Sequence, residues 1–541
     1  MAEPSFAVRI AGSDAQSVRT LSPEPGQTLA QAVYLSGLFT PPALCSGIGR
    51  CGRCRMRLLP PPDPLPEDRR VFSPGELADG WRLGCRHQPA EGLRAELPSG
   101  IRPEPSAPAP SPSSFRARPA FLAVDLGTTT LEWRLETPDR SLLCRGGRIN
   151  PQMGAGSEVI SRLAAAASER GRARLQDLVL SALIALVRGA ESGGEIRVRA
   201  LCLAANPAMT ALALGRDIGG LARAPYSLPC AGGNWERLPS LPPIWTPPLL
   251  SPFVGGDISS GYASLALDPQ KAGPDWPFLL ADLGTNGEFL LALSPAECLV
   301  ASVALGPALE GIGLSCGTEA RPGAVTGFSF SARGLRPVFF QEERASPAAG
   351  ITGTGYLSLL HVLRRAGALT EDGRFSLARS PILCRGGMGA SLSPQGEAMP
   401  PRGLGGEGPG MPTLFLDDGL FLTAGDVEEI LKVKAAFSLG LRRLLAETGL
   451  GAADLAQIYV AGSLGRFADR EAWTSLGFFP PGIQARLTAV GNASLDGAAL
   501  LLARARAREA LLAWAGGVRT LDLASDPVFV REFGAQMRFA W

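Results

Sequence analysis

Residues 121–130 read FLAVDLGTTT, and residues 278–288 read FLLADLGTNGE. Each is an apolar strand ending in Asp, then Leu-Gly-Thr, then a polar turn into a second apolar segment. A second echo follows each copy. Residues 201–215 (LCLAANPAMTALALG) and 487–502 (LTAVGNASLDGAALLL) are both a strand, a small-residue turn containing Asn, and a helix. The main body is therefore an internal duplication.

Duplicated strand–turn–strand units with an Asp at the strand end match the two halves of an actin-like, RNase H-like ATPase core, in which paired turns face each other across bound phosphates. Backbone N–H groups of Gly127, Thr128 and Thr129, and of Gly284, Thr285 and Asn286, would cradle phosphate. The carboxylates of Asp125 and Asp282 would orient Mg²⁺ or its waters. Residues 458–467 (IYVAGSLGRF) add a β-branched strand followed by Gly462, Ser463 and Gly465, where an adenosine could lie close to the backbone. An ordinary strand-to-helix turn has the same composition. Thr423 and Asp426 read as a cap pair ahead of a helix with Val427, Ile430, Leu431, Phe437, Leu441 and Leu444 on one stripe. Lys434 falls on that stripe, either to snorkel its ammonium to the edge or to meet a nucleotide. Asp257, in FVGGDISSG, and Glu288 are further acidic candidates for the cleft; a helix cap and a surface carboxylate are the competing readings.

Before the duplication stands CSGIGRCGRC (residues 45–54), with LGCRHQP at 83–89. Cys45, Cys51, Cys54 and Cys85 have the spacing C-x5-C-x2-C-x30-C, which reads as a [2Fe–2S] ferredoxin: three thiolates on one loop and a fourth from a distant segment. Gly47, Gly49 and Gly52 allow the loop to turn its N–H groups toward anionic sulfur. Zinc is the competing metal, but it usually takes two C-x2-C pairs and only one is present; a set of buried structural thiols is the other reading. Strands at 6–10, 17–21, 55–59 and 81–85 with a helix at 27–38 predict a small β-grasp domain. Cys144, Cys202, Cys230, Cys298, Cys316 and Cys384 lack metal spacing and read as small buried hydrophobes.

The 541 residues thus divide into a ferredoxin domain (1–97), a Pro/Ser-rich linker (98–119) that lets it move, a first actin-like half (120–245) and a second (246–541). Residues 403–412 (GLGGEGPGMP) read as a surface loop. With 52 basic and 50 acidic residues, the formal net charge of +2 offers no bulk attraction for nucleic acid. No apolar run reaches membrane-spanning length and MAEPSFAVRI is not a charged-then-apolar leader, so the chain reads as cytoplasmic.

In this order the motifs DLGTTT, NPQMGAGSEVISRL, PFVGGDISSGY, DLGTNGE, ALEGIGLSCGTEARPGAV, ITGTG, VKAAFSLGL, VAGSLG and VGNASLDGA resemble the reductive activators of corrinoid proteins. These are ferredoxin-fused ATPases of the acetate/sugar kinase, heat-shock chaperone and actin superfamily. The resemblance implies ATP-driven one-electron reduction of a Co(II) corrinoid on a methyl-transfer protein to Co(I), fed by a low-potential electron donor. It carries the family's phosphate turns onto Asp125, Gly127, Thr128, Thr129, Asp282, Gly284, Thr285 and Asn286, and its adenosine turn onto Gly462, Ser463 and Gly465. That turn reads Gly-Ser-Leu-Gly here, where the family more often has Gly-Gly-Phe-Gly. Two other functions stay open: an ATP-driven electron injector like the 2-hydroxyacyl-CoA dehydratase activators, and a redox-sensing protein that binds nucleotide without turnover. A homodimer is an open option for the assembly.

Overall fold

In the FAVRI strand, alternation points Phe6 and Val8 inward, and both are buried. This strand, β1 (Phe6–Ile10), is joined by β2 (Arg19–Leu21), β3 (Arg55–Leu59), β4 (Trp81–Leu83) and β5 (Arg94–Leu97). The sheet order is β2-β1-β5-β3-β4, and only the β1–β5 pair is parallel. The helix on this sheet, Leu29–Tyr34, is shorter than predicted. Thr28 and Gln31 form a capping box at its start, and Leu35 caps its end. The structure, a computed structural model, describes residues 5–11, 18–104, 117–331, 334–376, 391–393, 412–462 and 469–541. Ser17 of the predicted second strand, Cys384, most of the predicted linker and residues 403–411 of the predicted glycine-rich loop lie outside them.

The duplication is visible as two six-stranded sheets that share a five-strand order and carry the sixth strand on opposite edges. The first contains β6 (Arg118–Leu126), β7 (Thr130–Glu136), β8 (Leu142–Ile149), β9 (Ile196–Ala205), β10 (Asn234–Glu236) and β11 (Ile244–Thr246), ordered β10-β11-β9-β6-β7-β8. The second begins with β12 (Phe278–Leu283), β13 (Asn286–Ser294) and β14 (Glu297–Ala304). Two small three-stranded sheets are inserted next: β15 (Ala324–Ser331), β16 (Gly334–Phe339) and β17 (Gly350–Ile351), then β18 (Ser391–Ser393), β19 (Thr413–Phe415) and β20 (Phe421–Thr423). With β21 (Gln457–Ala461), β22 (Leu487–Gly491) and β23 (Arg519–Thr520), the second large sheet runs β22-β21-β12-β13-β14-β23. In both, an antiparallel meander lies on one side of the Asp-ending strand and parallel strands on the other.

Two predicted boundaries shift. The break expected at 245/246 falls inside β11, which pairs in parallel with β9 (Ile244 with Leu201, Trp245 with Cys202). Prolines on both sides give 242–248 the look of a joint, yet Ile244, Trp245 and Thr246 are buried strand residues. The linker end expected at 119 lies inside β6, which starts at Arg118.

The halves share a core between their sheets, built on Ala123, Cys202 and Trp245 from the first and Leu280, Leu290, Leu500 and Leu501 from the second. Helices Gly256–Ala266 and Ala493–Ala503 cross there at very close range: a Cβ on Gly497 would stand 1.8 Å from Ser260 O. The N-terminal domain is seated on this body rather than free of it. Met153 of the first half is fully buried in the N-terminal core, Leu35 enters the first half's core, and Arg174 Nε donates to Leu35 O. Among the described residues no helix is long and apolar enough to cross a membrane.

Candidate functional site

The four predicted cysteines line one cavity of about 230 Å³. The loop that presents three of them turns through Gly47 (φ +82°) and Gly49 (φ +83°), a backbone region that side chains with a Cβ avoid. A hydrogen bond from the Cys51 thiol, helped by backbone N–H groups of Cys51, Arg50 and Gly49, holds the Cys45 thiol well below its ordinary range. Cys51, hydrogen-bonded to Cys45, and Cys54, hydrogen-bonded to Cys85, are pushed well up, with burial adding to both. The donor set is four sulfurs in two pairs, Cys45 with Cys51 and Cys54 with Cys85. It fits a cluster of two irons, each taking two thiolates. Met153, Gly154, Ala155 and Gly156 of the first half line the same cavity.

The second cavity, of about 380 Å³, lies between the halves. Gly127, Thr128 and Thr129 line it from the β6–β7 turn, and Gly284, Thr285 and Asn286 from the β12–β13 turn. The turns meet, with Thr129 Oγ1 and Thr285 Oγ1 3.2 Å apart. Asp125 and Asp282 stand at the ends of β6 and β12, and Asp257 and Glu288 complete the acidic wall. Glu288 is buried, so the surface reading of it is wrong. Gly462 closes the wall at φ +86°; a Cβ there would lie 2.7 Å from Leu283 O and 3.0 Å from Asp282 Oδ1. Ser463 and Gly465 lie outside the described residues. Lys434 is a correction: it is buried away from the cleft, donating to the carbonyls of Gln536 (3.3 Å) and Ala540, and burial pulls its ammonium down to about 8. Its side of the helix Ala424–Thr448 faces the C-terminal segment, to which it acts as a pin.

Burial pushes the carboxyl of Asp125 up to about 8; neighbouring Asp282, Asp257 and Glu132 add to this, and a hydrogen bond from Asn492 opposes it. Asp282 is pushed up to about 7 by burial, with Asp257 and Glu132 adding. Asp257 and Glu288 share a hydrogen bond, and burial raises both. Glu288 Oε1 and Glu310 Oε2 are buried without a hydrogen-bond partner among the described residues. A wall of hard oxygen donors whose mutual repulsion a cation would relieve fits Mg²⁺, and the opposed glycine–threonine turns fit polyphosphate.

Several cleft residues went unread in the sequence. Asn206 and Asn492, noticed only as turn residues, each cap the following helix. Asn206 Nδ2 also donates to Thr128 Oγ1 (3.1 Å), and Asn492 Nδ2 to Asp125 Oδ2 (2.7 Å) and Glu132 Oε2 (3.0 Å). Ser494 Oγ reaches Asp125 Oδ1 at 3.2 Å. Arg162, buried in the first half, holds Thr128 O and Gly156 O. Glu310 accepts from Thr285 Oγ1 at 2.9 Å. Asn at matching places in the repeat was the available signal; for Arg162 and Glu310 no spacing points to the cleft.

Comparison with known proteins agrees with this geometry. The family model described as the C-terminal domain of RACo, the ASKHA domain, matches residues 277–392 and 413–541, and the RACo middle region matches 121–270. Corrinoid activation enzyme RamQ of Eubacterium limosum is 26% identical over 439 residues, covering 78% of this chain and 71% of that protein. The [Co(II) methylated amine-specific corrinoid protein] reductase of Methanosarcina barkeri is 25% identical over 266 residues, 46% of this chain and 43% of that relative, so the match spans less than half of its length. Over 79 residues, 14% of this chain, there is 35% identity to one of the polypeptides of the Na(+)-translocating NADH-quinone reductase of Chlamydia pneumoniae, and the match covers 18% of that polypeptide. A solved reductive activator for corrinoid, iron–sulfur protein has the same fold, with a TM-score of 0.65 over 99% of this chain and 98% of that one at 21% identity. The chain belongs to the RACo family, the reductive activators of corrinoid proteins.

Proposed function

We propose that this protein is an ATP-dependent reductive activator that passes one electron at a time to the Co(II) corrinoid of a methyl-transfer protein, restoring Co(I). One observation carries the reading: a four-cysteine cavity and an acid-walled phosphate cleft are held together in one chain by loops that touch both. In this reading residues 1–97 are a β-grasp ferredoxin, supported by the strand order and the paired thiols. A [2Fe–2S] cluster on Cys45, Cys51, Cys54 and Cys85 would supply single electrons.

Asp125 and Asp282, with Asp257 and Glu288 behind them, would hold Mg²⁺ or its waters. The turns 127–129 and 284–286 would donate N–H groups to the phosphates, and Gly462 would leave room for the adenosine. Asn492 and Ser494 hold the Asp125 carboxylate from the opposite half, so closing the halves completes the wall. A one-electron step costs about 1.4 kcal/mol per 59 mV of unfavourable potential. A gap of a few hundred millivolts is on the order of 5–10 kcal/mol, which hydrolysis can offset if cleft opening and closing change how the partner is bound. The partner is a corrinoid-binding methyl-transfer protein, and the electron comes from a low-potential donor.

The test is composition and stimulation. Anaerobically purified protein should contain two irons and two sulfides per chain, and its ATP hydrolysis should rise when a Co(II) corrinoid protein is added. Zinc in place of iron sinks the electron-transfer half. An intact cluster with nucleotide bound but no turnover, with or without a corrinoid protein, favours a redox sensor instead.

A further inference from the structure

Two loops connect the cysteine cavity to the cleft, one from each half. In the first half, Asn150 donates its side-chain amide to Gly127 O (2.8 Å) and its backbone N–H to Thr129 O (2.8 Å). Farther along the same loop, Ser157 N–H donates to Ser46 Oγ at 2.9 Å, beside Cys45. In the second half, the carboxylate of Glu310 accepts from Thr285 Oγ1, which in turn pairs with Thr129 Oγ1 at 3.2 Å, so it is linked to both phosphate turns. The next carbonyl, Gly311 O, accepts from Arg53 Nη2 at 3.2 Å, and the same nitrogen reaches Gly317 O. Arg53 lies between Cys51 and Cys54, and its Nη1 is tied to its own loop at Ala43 O (3.2 Å). The Glu310 loop has no room to retreat, since a Cβ on Gly353 behind it would stand 1.6 Å from Leu309 O. Glu310 lines the cleft, and its Oε2 has no hydrogen-bond partner among the described residues.

We propose that Glu310 is a positioning residue of the ATP site and that Arg53 of the cysteine loop holds it in place, so that the seat of the N-terminal domain tunes ATP turnover. The inference rests on the ATPase reading above. In hydrolysis the water oxygen bonds to the γ-phosphorus and the bridging oxygen leaves with ADP; one water proton stays on the new P–O oxygen and the other passes to a phosphate oxygen. Glu310 acts on this through the Thr129 and Thr285 hydroxyls, which it holds toward each other across the cleft. Arg53 acts one residue farther out, by fixing the Gly311 carbonyl. Because Ser46 and Arg53 are anchored to different halves, the seated domain matches only one opening of the cleft.

The experiment measures hydrolysis and nucleotide affinity on the full chain for the unaltered protein, Glu310→Gln, Arg53→Met and the double variant. Iron content verifies the cluster in each. Glu310→Gln should lower kcat about 10²-fold while nucleotide Kd moves less than about threefold. Arg53→Met should lower kcat about 3–10-fold alone and add nothing to Glu310→Gln, because both act through one chain of contacts. Arg53→Lys should recover part of the rate, and it replaces Arg53→Met in the same comparison if the latter fails to hold its cluster. Equal factors for Arg53→Met in both backgrounds, or unaltered turnover in Glu310→Gln, overturn this inference and leave the ATPase reading standing. No hydrolysis by the unaltered protein overturns both.

Discussion

Asp125 and Asp282 each hold a proton in the folded protein at a pH where the unfolded chain has released it. Their carboxyls are pushed up to about 8 and about 7, mainly by burial, whereas an unfolded Asp titrates near ~3.9. A raised carboxyl favours the fold fully below the unfolded value, and that contribution is lost as pH climbs through 7 to 8. Nucleotide-free protein should therefore show a lower Tm at about pH 8.5 than at about pH 6, and Mg²⁺ should narrow the gap by replacing the protons. A flat Tm across that window would contradict the acidic wall. Asp282→Asn should raise Tm at the upper end while lowering ATP turnover about 10²–10³-fold; wild-type turnover would make the turn structural. Both aspartates were legible because each ends a duplicated strand. Lys434 was misread because a helical stripe says which face is buried but not what covers it. Its partners, the Gln536 and Ala540 carbonyls, come from the far end of the chain.

At the scale of elements, the crossing of helices Gly256–Ala266 and Ala493–Ala503 sits in the core that joins the two large sheets. Gly497 has no space for a methyl group, whereas a Cβ on Gly261 would meet the Leu280 Cδ2 tip at 3.0 Å and Ala493 Cβ at an ordinary 3.8 Å. Gly497→Ala should therefore cost about 1–3 kcal/mol or more by forcing the helices apart, and Gly261→Ala much less, read as urea midpoints. Equal midpoints would mean that this crossing does not hold the cleft. The capping box predicted at Thr423 and Asp426 is present, and Asp426 Oδ1 also accepts from Ser315 N at 2.7 Å. Strands with long apolar runs were read well. β5 and β11 were missed, one being short with charged residues between its apolar ones, the other framed by prolines that imitate a joint. Cavity partners such as Glu310 were invisible because each contact spans a turn or an interface that local pattern does not encode.

For the whole molecule, the N-terminal domain is both separable in its core and seated on the ATPase body. Its own cluster of Phe6, Val8, Met56 and Leu97 is distinct from the three cores of the body, with Met153 and Leu35 crossing between them. Cys54→Ser should thus abolish the visible absorbance of the cluster yet leave the far-UV CD spectrum and nucleotide binding in place; collapse of both would show that the body depends on the cluster to fold. The cysteine spacing pointed to the four residues that line one cavity, and the repeat pointed to the turns that line the cleft. The seat between them was not legible: Met153, Ser157, Gly311 and Gly317 stand inside quoted motifs, yet nothing in those motifs says that the N-terminal domain packs on them. In the proposed reaction the N-terminal domain and the ATPase body work together to drive an electron uphill. That coupling is read from the Co(I) absorption band of a Co(II) corrinoid protein, followed anaerobically with this protein and a low-potential reductant. The band should grow only with ATP and Mg²⁺ together and should be lost in Cys54→Ser and Asp282→Asn. Equal Co(I) with a non-hydrolysable ATP analogue, or without nucleotide, would mean that ATP hydrolysis does not drive the electron.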